Sequence, residues 1–173
     1  MLDLETIFFD RSIFDEYTQI MILGVALILK RNSKNKIESL KELDNLIDNE
    51  MKYCIKRMES KAIPTINKLL ESEEKDLVNA IINMPEIRTI FDVRTPENVA
   101  EIMDYLLKIK DGSEVLDLYS GIGKIEEILI KNHKNIKIDG FEIRNGSVEI
   151  AKLKMYAIEN KNVSYFKKII KIS

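Results

Sequence analysis

The sequence predicts an α/β protein: a helical amino-terminal region followed by a partial sheet of about three parallel strands interleaved with helices. Three observations carry this reading. Through the first ninety residues apolar side chains recur at three- and four-residue steps, with no strand-like alternation. From about residue 92 short apolar runs alternate with helical patterns. A glycine-containing turn joins the first of those runs to the helix that follows it. Strands separated by helices pair in parallel through right-handed crossovers. The change of character sets the expected domains at 1–91 (helical) and 92–173 (α/β).

Each element has its own signal. Ser12 is placed to cap a helix running through Ile13, Tyr17, Ile20 and Met21 to Leu29. The polar, basic stretch Lys30–Lys36 breaks it. Ile37, Leu40, Leu43, Ile47, Met51, Cys54 and Met58 then mark one face of a long helix. Pro64 interrupts or restarts that pattern. Ser72 with Glu73 and Glu74 reads as a further helix start, acids lying at the positive helix end, and this helix runs to Met84 and stops at Pro85. In the second region Thr95 caps and Pro96 takes the first position of a helix continuing to Leu107. Asp111-Gly112 turns the chain. Glu114–Tyr119, Ile136–Ile143 and Asn162–Ile170 read as strands; a helix face on Ile125, Ile128 and Leu129 and a helix over Ser147–Asn160 separate them.

Bulk properties narrow the function. A net charge of −2 argues against an overall electrostatic grip on nucleic acid. Between Lys131 and Ser173, however, ten Lys/Arg stand against four Asp/Glu, which reads first as a solvated face and second as a nucleic-acid face. The single cysteine, Cys54, rules out a disulfide within the chain and speaks against a cysteine-based metal site, so no metal is expected. The lone histidine, His133, reads as structural or exposed. The apolar run Ile20–Leu29 is half the length of the roughly twenty residues a membrane span needs. The acidic start lacks a signal peptide's basic leader. The expectation is a cytoplasmic, soluble protein without a membrane partner.

The chemistry-bearing pattern is Asp117-Leu118-Tyr119-Ser120-Gly121-Ile122-Gly123 at a strand-to-helix turn, with Glu142 nineteen residues beyond Gly123 at the end of the next strand. Glycine lets a ligand approach the backbone closely. A strand-terminal acid about twenty residues past such a turn is placed to hold ribose hydroxyls, and ligands of these sheets bind at the carboxyl ends of the strands. The turn lacks the Walker A pattern, and a dinucleotide fingerprint would want a third glycine where Glu126 stands. Asp117 would repel a pyrophosphate and suits a cationic cofactor. The structural alternative is an ordinary turn.

At these residues the sequence resembles the adenine-specific DNA methyltransferase (modification) subunits of type I restriction-modification systems. The likeness runs over roughly residues 90–170, through Thr95-Pro96, the following helix and Asp117…Gly121-Ile122-Gly123. It implies a Rossmann-like class I methyltransferase sheet, here truncated to about three strands, that binds S-adenosylmethionine (SAM) or S-adenosylhomocysteine (SAH). The implied cofactor-binding residues are Thr95 and Pro96 bordering the site, Asp117, Tyr119, Ser120, Gly121 and Gly123 cradling the methionine side, and Glu142 with Ile143 at the ribose. Three positions depart from the family: Arg94 stands where an aromatic is preferred, Leu118 where proline is usual, and Lys124 where a small residue is usual, bringing a charge that opposes the SAM sulfonium. The Asp117–Gly123 stretch also resembles motifs of cytosine-5 DNA and of RNA uridine methyltransferases.

Family members carry the target-base motif Asn/Asp-Pro-Pro-aromatic, whose polar groups bind the amino group while the aromatic stacks on a flipped base. No Pro-Pro pair occurs here, so no catalytic residue is assigned and this chain alone is expected to be inactive: a fragment, a natural truncation or half of a split enzyme. DNA would then be reached through a longer parent or a partner subunit. The first strand would form an exposed edge, which invites a homodimer, a partner protein or cover from the amino-terminal helices. The alternatives are a catalytically dead methyltransferase-like interaction or regulatory module, an RNA methyltransferase fragment, and a plain helical scaffold.

Overall fold

The computed structural model describes residues 14–83 and 95–167. The chain divides into two compact units, Met1–Ile87 and Arg88–Ser173, and each is described by itself.

The first unit is built around helix α1 (Glu16–Arg31). Ser12 lies outside the described residues; the cap is Asp15, whose carboxylate accepts a 2.7 Å bond from the Thr18 backbone N–H. Glu16 in the first turn and Lys30 and Arg31 in the last match the helix dipole. Residues Thr18–Leu27 and Leu29 are buried, so α1 is apolar all round because other helices surround it. Helices α2 (Asn49–Lys56), α3 (Glu59–Leu69) and α4 (Glu74–Ile82) all pack on it. No described helix is long and apolar enough to cross a membrane.

The single long helix expected over Ile37–Met58 is instead a 3₁₀ turn (Leu40–Leu43), a loop and α2. The apolar period is still honoured, since Ile37, Leu40, Leu43, Ile47 and Met51 are all buried. The helix breaks because Asp48 uses its carboxylate to cap α2 at Met51 N–H, 2.8 Å away. The Asn67 side chain clamps the loop, accepting from Ile37 N–H and donating to Ile37 C=O. Pro64 sits inside α3 rather than interrupting it. Ser72 is not the cap of α4: Glu73 holds that position, and the buried Ser72 hydroxyl has no partner. The end placed at Met84-Pro85 lies outside the described residues.

The second unit runs α5 (Glu97–Leu107), β1 (Glu114–Asp117), α6 (Lys124–Asn132), β2 (Lys137–Glu142), α7 (Asn145–Ala157) and β3 (Val163–Lys167). The fold class read from the sequence is the one observed: mixed α/β, with three parallel strands in the order β1-β2-β3. Pro96, rather than Thr95, takes the cap position of α5, with no side-chain cap bond. Register places Val115 beside Ile138 and Asp117 beside Gly140, and Gly140 beside Tyr165. Side chains alternate faces along a strand, so Val115, Asp117, Ile138, Gly140, Glu142 and Tyr165 share one face. Buried residues of α6 and α7, among them Leu129, Val148, Ala151 and Met155, form the core on that side. Leu116, Phe141 and Phe166 share the other face. There the Phe141 and Phe166 rings stack at 5.2 Å, while Leu116 remains 60% exposed.

Helix α5 is inverted. It buries only Ala100 and Asp104 and leaves Val99, Ile102, Met103, Leu106 and Leu107 exposed. A polar anchor explains its seating against α6. Asp104 accepts from Asn132 Nδ2 at 2.8 Å and lies 2.6 Å from His133 Nε2. Burial alone would raise the Asp104 carboxyl; these bonds outweigh it and hold the group below its usual range. His133 therefore has a structural role at the end of α6.

Candidate functional site

The site begins where β1 ends. Asp117 Oδ1 accepts from Tyr119 N–H at 2.8 Å, folding the chain back on itself directly after the strand. Ser120 N–H donates to Phe141 C=O, tying the loop to β2, and Gly123 N–H closes onto Ser120 C=O. The loop then needs left-handed backbone twice, at Gly121 (φ +55°) and Gly123 (φ +84°). A Cβ on Gly121 would meet nothing within 4 Å, so that side of the loop is open. A Cβ on Gly123 would collide with the Tyr165 hydroxyl. Gly140, across the sheet from Asp117, has the same cause: a Cβ there would lie 2.8 Å from the Tyr165 ring and 3.0 Å from Ser120.

Glu142 repeats Asp117's device one strand over. Its Oε1 accepts from Arg144 N–H at 2.8 Å and from the Arg144 guanidinium at 3.3 Å, turning the chain into α7. Asp117 and Glu142 thus stand on adjacent parallel strands, on the same face, offset by two residues, a Cα separation of about 8 Å from strand geometry. Beside them the apolar side chains of Tyr119 (77% exposed) and Ile143 (56% exposed) flank the carboxyl edge.

Lys124 opens helix α6, and its ammonium is engaged by Glu97 at 3.2 Å and Glu127 at 3.8 Å. The first pair also brings the start of α5, and with it Thr95 and Pro96, up to the start of α6. The charge expected to oppose a sulfonium is therefore offset locally. The register and these bonds bring Asp117, Tyr119, Ser120, Gly121, Gly123, Glu142 and Ile143 to the carboxyl ends of β1 and β2.

Two features were not anticipated. Glu126, noted in the sequence only as the residue standing where a third glycine would be, is fully buried, and neither carboxyl oxygen is bonded to another residue. Tyr165 packs under both Gly123 and Gly140. The three-residue step from Gly123 into the first turn of α6 was the available clue to Glu126; nothing in the order of residues pointed to Tyr165. A shallow depression lined by Ile130, His133, Asn135 and Asn160 lies at the opposite, amino-terminal end of the strands.

An open glycine turn between two strand-end acids on a parallel sheet can be set beside known proteins. No protein-family model matches the sequence, and no curated protein matches it significantly. Among solved structures, a candidate class I SAM-dependent methyltransferase from Listeria monocytogenes aligns over 92% of this chain with a TM-score of 0.54 at 13% identity. The chain shares its mixed α/β fold with that protein. YjhP from E. coli aligns over 51% of the chain at 19% identity, with a TM-score of 0.38. The chain spans 48% of the Listeria protein's length and 35% of YjhP's. At 13% identity the likeness to the Listeria protein concerns the fold alone.

Proposed function

We propose that this chain is the SAM-binding portion of a DNA adenine methyltransferase of the restriction-modification type. The observation that carries the reading is the pair Asp117 and Glu142 at the carboxyl ends of adjacent parallel strands, with the open Gly121–Gly123 turn between them. That is where doubly wound sheets bind nucleotides. The residues suit the cofactor chemically: Asp117 faces a cationic amino-acid end, Glu142 a ribose diol, and the exposed Tyr119 and Ile143 an aromatic base. The bound cofactor would supply the transferable methyl group; this chain's residues bind and orient it. DNA adenine as the target rests on the Thr95-Pro96 and Asp117–Gly123 resemblance. With three prolines, none adjacent to another, the chain has no Asn/Asp-Pro-Pro-aromatic motif to hold a flipped base, so methyl transfer would require residues from a longer parent or a partner subunit.

Calorimetric titration with SAH tests the reading. Wild type should bind, and Asp117→Ala and Glu142→Ala should each weaken binding about tenfold or more, the effect of losing a hydrogen bond to a charged group. No heat at millimolar SAH removes the cofactor assignment.

A second reading, a methyltransferase-like interaction module, is favoured by two observations: both acids already serve their own turns, and α5 presents an apolar stripe outward. On this reading the β1 edge and α5 receive a second copy of the chain. Sedimentation showing a dimer that Ile102→Lys and Leu106→Lys dissociate would support it, and a monomer at all concentrations would end it.

A further inference from the structure

Three polar groups with no hydrogen-bond partner gather directly beneath the glycine loop. Glu126 is 0% exposed, and neither of its carboxyl oxygens is bonded to another residue. The buried hydroxyls of Tyr165 and Ser120 are equally unpartnered. The Tyr165 ring and Ser120 both lie against Gly140, and the Tyr165 hydroxyl lies against Gly123. Each such group costs about 1–3 kcal/mol when left unsatisfied, and their concentration at one place, under the turn that a ligand would touch, calls for a cause.

The charges around Glu126 supply one. Glu126 feels the charges of Asp117 at the end of β1, Glu127 on its own helix and Lys154 on α7, and its own charge acts on Tyr165 of β3. Neither nearby lysine is bonded to it. Lys154 is held by Glu127 at 2.6 Å, and Lys124 by Glu97 and Glu127. The ground beneath the loop therefore holds two acids, Asp117 and Glu126, and no cation bonded to either among the described residues. A ligand bearing a positive charge would complete it.

We propose that Glu126 is the internal counter-charge for the cationic end of a ligand seated on the Gly121–Gly123 loop, and that binding of that cation drives the Glu126 proton out to solvent. The ligand class is a nucleoside joined to an ammonium or sulfonium group, so the inference rests on the SAM reading above. The step balances simply: the carboxyl O–H bond breaks, the proton goes to buffer, and the carboxylate left behind is offset by the ligand's charge. Burial and the nearby Asp117 charge push the Glu126 carboxyl up to about 8, so near neutral pH it holds a proton to release. Burial likewise raises the Tyr165 hydroxyl, which stays protonated.

The test is calorimetry of the full chain with SAH near neutral pH in phosphate and in Tris, whose ionisation heats differ, repeated with adenosine and with Glu126→Gln. The expected result is about one proton released per SAH, none with adenosine, and SAH affinity rising up to about tenfold per pH unit until the carboxyl titrates on its own. Glu126→Gln should bind SAH several-fold more weakly, release no proton and lose the pH dependence. In wild type alone, SAH should bleach the infrared band of a protonated carboxyl, which decides the matter even if the variant folds poorly. SAH bound without proton release, and equally well by Glu126→Gln, overturns the inference and leaves the cofactor site standing. No SAH binding at all overturns both.

Discussion

The two units distribute polarity in opposite ways. In the helical unit α1 places Ile20, Met21, Ile22, Leu23, Val25, Leu27 and Leu29 almost wholly out of solvent, and its charged ends Lys30 and Arg31 reach Leu70 C=O and Glu74. In the α/β unit Asp104, Glu126, Glu142 and Glu149 are buried, while Ile102, Leu106, Leu116 and Ile143 are exposed. The first arrangement is what hydrophobic burial alone produces. The second opposes it, and such inversion persists where side chains serve something besides the core. The amino-terminal unit is organised for burial, and the α/β unit sets acids inside and apolar side chains outside.

The comparison can be broken most sharply in α1. Leu27→Ala should cost about 4 kcal/mol, as fully buried leucines do, read as a lowered midpoint in denaturant. A neutral outcome would mean that α1 is not the centre of its unit. The inverse change is next in size. Unfolded, Glu126 titrates near 4.5; folded, near 8. Between those values the unfolded chain has lost a proton that the folded chain keeps, so stability falls as pH rises through the window and levels off above it. Glu126→Gln removes this penalty and should stabilise the α/β unit by about 3 kcal/mol at neutral pH, with the gain vanishing below about pH 4. Thermal unfolding of both proteins across pH checks it; a gain that does not depend on pH would point to packing instead.

Smaller effects sharpen the boundary between the units. Asp117→Ala and Glu142→Ala should weaken SAH by about 2 kcal/mol each while leaving unfolding of the helical unit unchanged. Asp104→Asn should cost about 1 kcal/mol by weakening the tie to Asn132 and His133. Because Asp104 is held below its usual range, the stability it contributes is present near neutral pH and lost as pH falls through its folded value. Leu106→Lys, at 67% exposure, should change stability by less than about 0.5 kcal/mol.

The strand–helix alternation was readable because each strand is a short apolar run and each crossover helix keeps its period. The first two strands are shorter than expected: β1 ends at Asp117 rather than Tyr119 because the Asp117 side chain bends the chain there. The helices between residues 37 and 58 were misjoined for the same kind of reason. Periodicity reports which side chains are buried, as Ile37 through Met51 are, but not whether Asp48 diverts its carboxylate to a new cap. In the site, the order of residues displays Asp117, Gly121, Gly123 and Glu142. It hides Glu126, whose burial depends on how α6 lies against the sheet, and Tyr165, which meets Gly123 and Gly140 only once β3 has paired with β2. The outward stripe of α5 was equally hidden, because a helix pattern names an apolar face without naming what it faces.

The paired turns at Asp117 and Glu142 have a kinetic consequence. Each carboxylate is already fastened to the backbone N–H two residues on, so neither has to search for its orientation when a ligand arrives. Encounter should then proceed at an ordinary diffusional rate with little rearrangement, and analogues that differ at the amino-acid end should differ in how long they stay rather than how fast they arrive.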